Sequence, residues 1–197
     1  MKIIIPFFTL IIITCSATAQ TKQVVDKQID TTALKLDVYY PPDYDSRNVY
    51  PAIVFFFGGG WNGGGIQQFV PHAEYFSQRG LICFLADYRV KNRQQTTPFE
   101  SLKDAKSAIR YIRKNAKEYS VDASKIIAAG EHLAAATAVV KIYNEQSDDL
   151  SISCKPNALI LFNPVIDNGP GGYGYERIGD QYKDFSPLHN IKSGEQM

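Results

Sequence analysis

The chain has 197 residues, of which 45% are hydrophobic and 21% are charged, and its formal net charge is +1 at pH 7. This length and composition predict one globular domain with a sizeable core. Acidic and basic residues are interspersed, so the sequence lacks the basic patch that binds nucleic acid or an anionic membrane. Neither nucleic acid nor a membrane is therefore expected as a partner.

The first nineteen residues have the pattern of a secretory signal peptide. Lys2 precedes an apolar run from Ile3 to Ile13, and Ala17-Thr18-Ala19 follows that run. The run is too short to span a bilayer comfortably, and small residues at this spacing mark a cleavage site. The sequence predicts cleavage before Gln20, a secreted or periplasmic location, and a single domain over residues 20–197.

Short apolar runs alternate with helical patterns along this domain, which is typical of an α/β fold with a mostly parallel sheet and helices on both faces. The first predicted strand ends at Pro41-Pro42, and proline lacks the N–H that a sheet ladder needs, so this strand is expected near an edge. The middle strands lack polar alternation and should be buried on both faces. The predicted strands are Leu34 to Tyr40, Ala52 to Phe57, Leu81 to Ala86, Lys125 to Ala129 and Ala158 to Phe162.

Three helices are predicted between the strands, at about Pro71 to Arg79, from Pro98 onward, and at His132 to Tyr143. Thr97 and Glu100 have the spacing of a capping box around the second of them. An apolar stripe at spacings of three and four predicts that this helix packs on the sheet. The stripe consists of Leu102, Ala105, Ile109, Ile112, Ala116 and Tyr119.

The second predicted strand ends abruptly at Gly58-Gly59-Gly60 and at Trp61, the only tryptophan of the chain. Glycines adopt positive φ and let backbone amides approach a cavity without hindrance from a Cβ atom. Amides presented in this way can stabilise an oxyanion. Gly59 and Gly60 are therefore candidate oxyanion-hole donors, and Gly58 and Trp61 are candidate substrate-binding residues. Packing of Trp61 beneath the glycine loop is an alternative interpretation that the sequence favours equally.

Phe57-Gly58-Gly59-Gly60-Trp61 resembles the HGGG segment of α/β-hydrolases of the carboxylesterase, acetylesterase and lipase-like group, with phenylalanine in place of histidine. The resemblance runs from about Leu36 to Ile191. It implies an α/β-hydrolase fold and a serine esterase that uses no cofactor and acts on small-molecule or carbohydrate esters. Further matching segments are Ala86 to Arg89, Asp104-Ala105, Ile109 to Tyr111, Val121-Asp122 and Lys125 to Gly130.

The resemblance also implies a Gly-x-Ser-x-Gly nucleophile elbow after the strand that ends at Gly130. This chain instead reads Gly130-Glu131-His132, and no serine in the sequence has glycines two residues before and two residues after it. These three residues are therefore interpreted as an elbow remnant. Glu131 could act as a carboxylate nucleophile. The simpler interpretation is an acidic residue stabilised by the dipole at a helix N-terminus.

The acid and histidine of the expected triad have no identifiable counterparts either. Asp167 follows the last predicted strand and His189 lies near the C-terminus, but neither matches a catalytic position, and His72 is expected to be a surface or packing residue. Relative to the family, the sequence predicts a truncated α/β-hydrolase domain with no identifiable catalytic residue. The scattered histidines and cysteines lack metal-ligand spacing, so no metal site is expected.

Two hypotheses follow from these observations. In the first, the chain is by ancestry an exported carboxylic-ester hydrolase that acts through serine acyl transfer, although the elbow serine and the downstream acid and histidine are missing in this form. In the second, it is a noncatalytic binding module or pseudoenzyme remnant of that fold.

Overall fold

The computed structural model describes residues 21–192, so the predicted signal peptide and its cleavage site lie outside the described residues. Six strands form one sheet in the order β1-β2-β4-β3-β5-β6. The β1–β2 and β2–β4 pairs are antiparallel, and the other three pairs are parallel. The strands are β1 (Thr21–Ile29), β2 (Thr32–Tyr39), β3 (Tyr50–Phe56), β4 (Ile82–Ala86), β5 (Val121–Gly130) and β6 (Ala158–Leu161).

Helices lie in the β3–β4, β4–β5 and β5–β6 connections, as predicted. The capping box at the start of the longest helix is confirmed, because Glu100 Oε2 accepts hydrogen bonds from the backbone and hydroxyl of Thr97. No helix in residues 21–192 has the length and apolar character needed to span a membrane. The helices are α1 (Val70–Ser77), α2 (Lys91–Gln94), α3 (Pro98–Lys114), α4 (His132–Val139), α5 (Tyr175–Ile178), α6 (Tyr182–Phe185) and α7 (Pro187–Asn190).

The first predicted strand corresponds to β2, which is the second strand of the sheet and so lies near its edge, as expected. It is not the edge strand itself, because β1 pairs along its outer side and β4 along its inner side. Pro41 and Pro42 come after the last residue of β2, so their missing N–H groups do not interrupt its ladders. The prediction that the middle strands are buried on both faces is confirmed, since every residue from Ile82 to Ala86 is buried.

α4 is shorter than predicted, since it ends at Val139 and not at Tyr143. Side chains of α3 hold the chain beyond it in a loop: Lys106 Nζ donates to the Ile142 carbonyl oxygen, and Arg110 Nη2 donates to Asn144 Oδ1 at 2.8 Å. These tertiary contacts outweigh the helix propensity of the loop residues.

A buried charge cluster joins β1, α3 and this loop. Asp104 on α3 has no exposed side-chain surface, and its Oδ1 accepts from Lys27 Nζ at 2.7 Å. Arg89 donates its Nε to Asp104 Oδ2 and its Nη2 to Asp104 Oδ1, both at 2.8 Å. Glu145 of the loop accepts from both cations, at 3.0 Å from Lys27 and 2.8 Å from Arg89. Charged residues that pair in this way can be buried, although the hydrophobic pattern of the sequence alone would predict them at the surface.

Asp26 lies next to this cluster, at the bulge where the β1–β2 register shifts. Its Oδ1 is buried and has no hydrogen-bond partner among the described residues. Burial raises the pKa of the Asp26 carboxyl to about 7, and the charges of Asp104 and Asp87 add to this rise, whereas a backbone hydrogen bond and the Lys27 charge oppose it. The folded chain therefore retains a proton on Asp26 at a pH where the unfolded chain releases it.

We expect Asp26→Asn to stabilise the fold increasingly as the pH rises. Unfolded aspartate ionises near pH 4, so the wild type loses stability between about pH 4 and 7, whereas asparagine remains neutral. The variant should match the wild type near pH 4 and exceed it by about 4 kcal/mol at pH 8, because the pKa of folded Asp26 lies about three units above that of unfolded aspartate. Urea denaturation at both pH values measures the difference. The exposed Asp43→Asn variant is the control, and a gain for Asp26→Asn that is the same at both pH values would contradict the expectation.

Candidate functional site

The candidate site lies at the carboxyl ends of two adjacent parallel strands. Phe56, the last residue of β3, pairs with Gly130, the last residue of β5. The segments that follow these residues, 57–61 and 131–133, therefore meet at one edge of the sheet, where ligands of open α/β sheets bind. The structure brings Gly58 to Trp61, Glu131 and His132 together in one cleft, and Gly130 is the last residue of the strand that leads into it. We call it the glycine cleft.

The glycine segment has the backbone that an amide cradle requires. Gly59 and Gly60 adopt φ of 136° and 61°, and Trp61 also has a positive φ of 61°. The Gly58 amide is already used, since it donates to Gln68 Oε1 at 2.7 Å. Within residues 21–192 the amides of Gly59 and Gly60 donate to no acceptor. These two amides therefore remain free donors, as an oxyanion hole needs.

Glu131 fills the space opposite these glycines. A Cβ atom placed on Gly58 would lie 2.8 Å from Glu131 Cδ and 2.9 Å from Oε2, so the carboxylate rests directly on the Gly58 backbone. Burial raises the pKa of the Glu131 carboxyl. No hydrogen bond or ion pair to this carboxylate occurs in the described part of the chain. The remaining cavity has a volume of about 20 Å³, which is room for a single water molecule.

His132 is a packing residue in this arrangement. Its ring stacks on Phe185 with centroids 4.5 Å apart and meets the edge of Trp61 at 4.9 Å. Both ring nitrogens are buried without a well-formed hydrogen bond to any described residue. Burial lowers the pKa of the imidazole to about 3, against a smaller opposing effect of Asn168 and the Phe185 backbone. His132 is therefore a neutral and very weak base.

Two side chains that the sequence did not indicate cover the glycine cleft. Arg177 Nη1 donates to the Gly60 carbonyl oxygen at 2.5 Å, and the guanidinium lies 5.3 Å from the centre of the Trp61 ring. Tyr173 lies against the same ring, with centroids 5.9 Å apart. Both residues come from the region after β6, where a glycine-rich loop leads into α5. Trp61 lines the cleft and is 4% exposed, so the packing expected of it is observed, and its contact with a substrate stays a prediction.

Tyr88 closes the floor of the cleft. Its hydroxyl donates to the Phe57 carbonyl oxygen at 2.5 Å, and its ring stacks on Phe57 with centroids 4.0 Å apart. Burial, with a smaller contribution from the Glu131 charge, raises the pKa of Tyr88. The only sequence signal for this role was the position of Tyr88 in the segment Ala86 to Arg89.

The remaining candidates from the sequence lie elsewhere. Asp167 and His189 both approach Gly169, outside the glycine cleft, and both are exposed. His72 packs among Phe55, Phe69 and Phe162, as a packing residue would. No serine of residues 21–192 lines the cleft, and no group of residues there could hold a metal ion.

A second cavity adjoins the cleft and shares Trp61 with it. This lateral pocket has a volume of about 560 Å³ and is formed by Trp61 and Asn62, by residues between Lys91 and Pro98, and by Glu176 and Arg177. The Trp61 and Asn62 carbonyl oxygens accept from the amides of Lys91 and Asn92 at 2.9 and 2.8 Å, which fixes one wall. Its volume is in the range of small-molecule sites.

Comparison with known proteins gives a consistent picture. The BD-FAE family model matches residues 36–170. The structure of Thermogutta terrifontis esterase 2 phosphorylated by paraoxon is 43% identical, superposes with a TM-score of 0.81, and matches over 90% of this chain and 67% of that chain. Carboxylesterase NlhH of Mycobacterium tuberculosis is 31% identical over 102 residues, which are 51% of this chain and 30% of that protein. Endo-1,4-beta-xylanase B of Butyrivibrio fibrisolvens is 35% identical over 104 residues, which are 48% of this chain and 16% of that protein.

The fold, the glycine cleft at the ends of β3 and β5, and these matches define the class as esterase-like α/β-hydrolases. The chain belongs to the BD-FAE family of α/β-hydrolase carboxylesterases. It spans less than a third of the length of the curated relatives described above.

Proposed function

We propose that this chain is an exported esterase-family protein that has lost serine catalysis and retains a cleft for a small ester or acyl group. The observation that carries the proposal is the position of Glu131, whose carboxylate rests on Gly58 where the family resemblance implies a serine elbow. Export is supported by the pattern of residues 1–19.

The proposed loss of catalysis follows because the oxyanion-hole amides remain, whereas the nucleophile and a general base are missing. The free Gly59 and Gly60 amides could stabilise an oxyanion, and each such donor typically contributes about 3–4 kcal/mol to lowering the barrier. Without a nucleophile, however, the acyl-enzyme that this stabilisation serves does not form. His132 cannot supply a general base near neutral pH, because the pKa of its imidazole is about 3.

The ligand class is supported by the relatives. The glycine cleft, with a volume of about 20 Å³, has room for a single water molecule, so even a small acyl group enters only when Tyr173 moves. The relatives include a carboxylesterase and a xylanase, by their names. We therefore propose small-molecule esters or acylated carbohydrates as ligands.

Reaction with paraoxon tests the proposal, because Thermogutta terrifontis esterase 2 is phosphorylated by this compound. Intact mass spectrometry of the exported protein should show a mature chain beginning at Gln20 and no phosphoryl adduct. Hydrolysis of p-nitrophenyl acetate should stay at the level of the Glu131→Gln variant, while the emission of Trp61 should still change saturably with acetyl esters.

The Thermogutta terrifontis esterase serves as the positive control for labelling. An adduct on this chain, or saturable turnover, would overturn the loss of serine catalysis. Turnover that disappears in Glu131→Gln would instead identify Glu131 as a nucleophile. An uncleaved N-terminus would reject export alone.

A further inference from the structure

We infer that the lateral pocket binds a small hydroxylated monocarboxylate, such as a uronic acid unit of a saccharide. The inference concerns a different cavity from the glycine cleft, so it does not depend on whether that cleft hydrolyses esters. Two features of the lining carry it: a set of unused polar side chains and a single unpaired positive charge.

The polar side chains that line the pocket are not engaged with each other. Asn62, Asn92 and Gln95 face the pocket, and none of their side-chain amides is hydrogen-bonded to another described residue. Thr96 Oγ1 is buried and likewise has no partner in the described chain. An amide offers both a donor and an acceptor, and a hydroxyl does so too. A ligand that carries several hydroxyl groups matches such a lining, and Trp61 and Pro98 add apolar surface.

The charge of the pocket matches one carboxylate. Arg177 Nε is paired with Glu176 Oε1 at 2.9 Å, so these two charges offset each other. Lys91 forms no ion pair with any described residue, which leaves one net positive charge in the lining. A monoanion balances this charge, whereas a dianionic phosphate would exceed it.

The backbone holds these groups in place. Gln95 is a non-glycine residue with φ of 57°, and Trp61 has φ of 61°. Such conformations cost free energy and persist where the surroundings enforce them. The hydrogen bonds from the Lys91 and Asn92 amides to Trp61 and Asn62 connect the two walls directly. The pocket is therefore largely formed before a ligand binds, as is usual for small-molecule sites.

A matched series of sugars tests the inference, with glucose, glucuronic acid and glucose 6-phosphate differing only at the sixth carbon. Trp61 is the only tryptophan and lines the pocket, so its fluorescence reports occupancy. At low ionic strength we expect glucuronate to bind about tenfold more tightly than glucose, because of the Lys91 charge, and more tightly than glucose 6-phosphate.

Two variants separate charge from hydroxyl recognition. Lys91→Gln should reduce the preference for glucuronate over glucose to about twofold or less, since the neutral side chain removes the attraction. Asn92→Ala should weaken both sugars together. Lys117→Gln, an exposed lysine outside the pocket, is the matched control and should leave all affinities unchanged. None of these ligands is an ester, so their binding is separate from the acetyl-ester test of the glycine cleft.

Three outcomes would overturn the inference. The first is the absence of any saturable fluorescence change with glucuronate. The second is a preference for glucuronate that survives in Lys91→Gln. The third is tighter binding of glucose 6-phosphate than of glucuronate, which would assign the pocket to a phosphate instead.

Discussion

Replacing Asp104 with alanine is expected to lower the free energy of unfolding by about 3–5 kcal/mol, the typical cost of breaking a buried ion pair from one side. Asp104 has no exposed side-chain surface and accepts three side-chain hydrogen bonds from Lys27 and Arg89. Without it the two cations stay buried, with the partly buried Glu145 to balance them. Guanidinium denaturation followed by circular dichroism measures the change.

A matched substitution at the surface distinguishes burial from charge. Asp45 also pairs with an arginine, Arg47, but that arginine side chain is 88% exposed. Asp45→Ala should therefore leave the denaturation midpoint nearly unchanged, because solvent screens exposed pairs. If both variants lost similar stability, the cluster around Asp104 would not have the strength that its burial implies.

Replacing Gly130 with alanine is expected to lower the free energy of unfolding by about 3–5 kcal/mol, because backbone strain and overpacking act together. Gly130 has a φ of 142°, which side chains rarely adopt, and an added Cβ would collide with the Phe56 carbonyl oxygen on the neighbouring strand. Because Phe56 and Gly130 set the spacing of the glycine cleft, the substitution should also change the Trp61 emission of the folded protein.

Gly80 offers the control for this substitution. It also has a positive φ, of 84°, but an added Cβ would meet no atom within 4 Å. Gly80→Ala should thus show the backbone cost alone, about 1–2 kcal/mol, and leave the Trp61 emission unchanged. Thermal and urea unfolding of both variants give the comparison. Equal losses would mean that the contact with Phe56 is relieved by a backbone shift.

The parts of the fold that could be predicted from the sequence are those with a local signal. The apolar runs of β3 and β4 predict strands buried on both faces, and the spacing of Thr97 and Glu100 predicts the start of α3. β1 had no such signal, since most of its residues are exposed and its buried residue is Lys27. A buried lysine becomes understandable only when Asp104, distant in sequence, is known to meet it.

The same distinction applies to the candidate site. The glycines after β3 and the residues after β5 could be predicted to meet, because parallel strands bring their carboxyl ends to one edge. Arg177 lies more than a hundred residues beyond Gly60, in a short helix without periodic pattern, so nothing local indicated their contact. His132 was expected as an elbow remnant, but its burial against Phe185 and Trp61 depends on that same distant region.

Asp26 and His132 both change their protonation state when the chain unfolds in mild acid. Between about pH 4 and 6.5 the folded protein retains a proton on Asp26, whose pKa is about 7, and none on His132, whose pKa is about 3. Unfolding in this range releases the first proton and takes one up at the second residue. The two transfers cancel in the net proton balance, so these residues together make stability insensitive to mild acid, although each alone would tie it to pH.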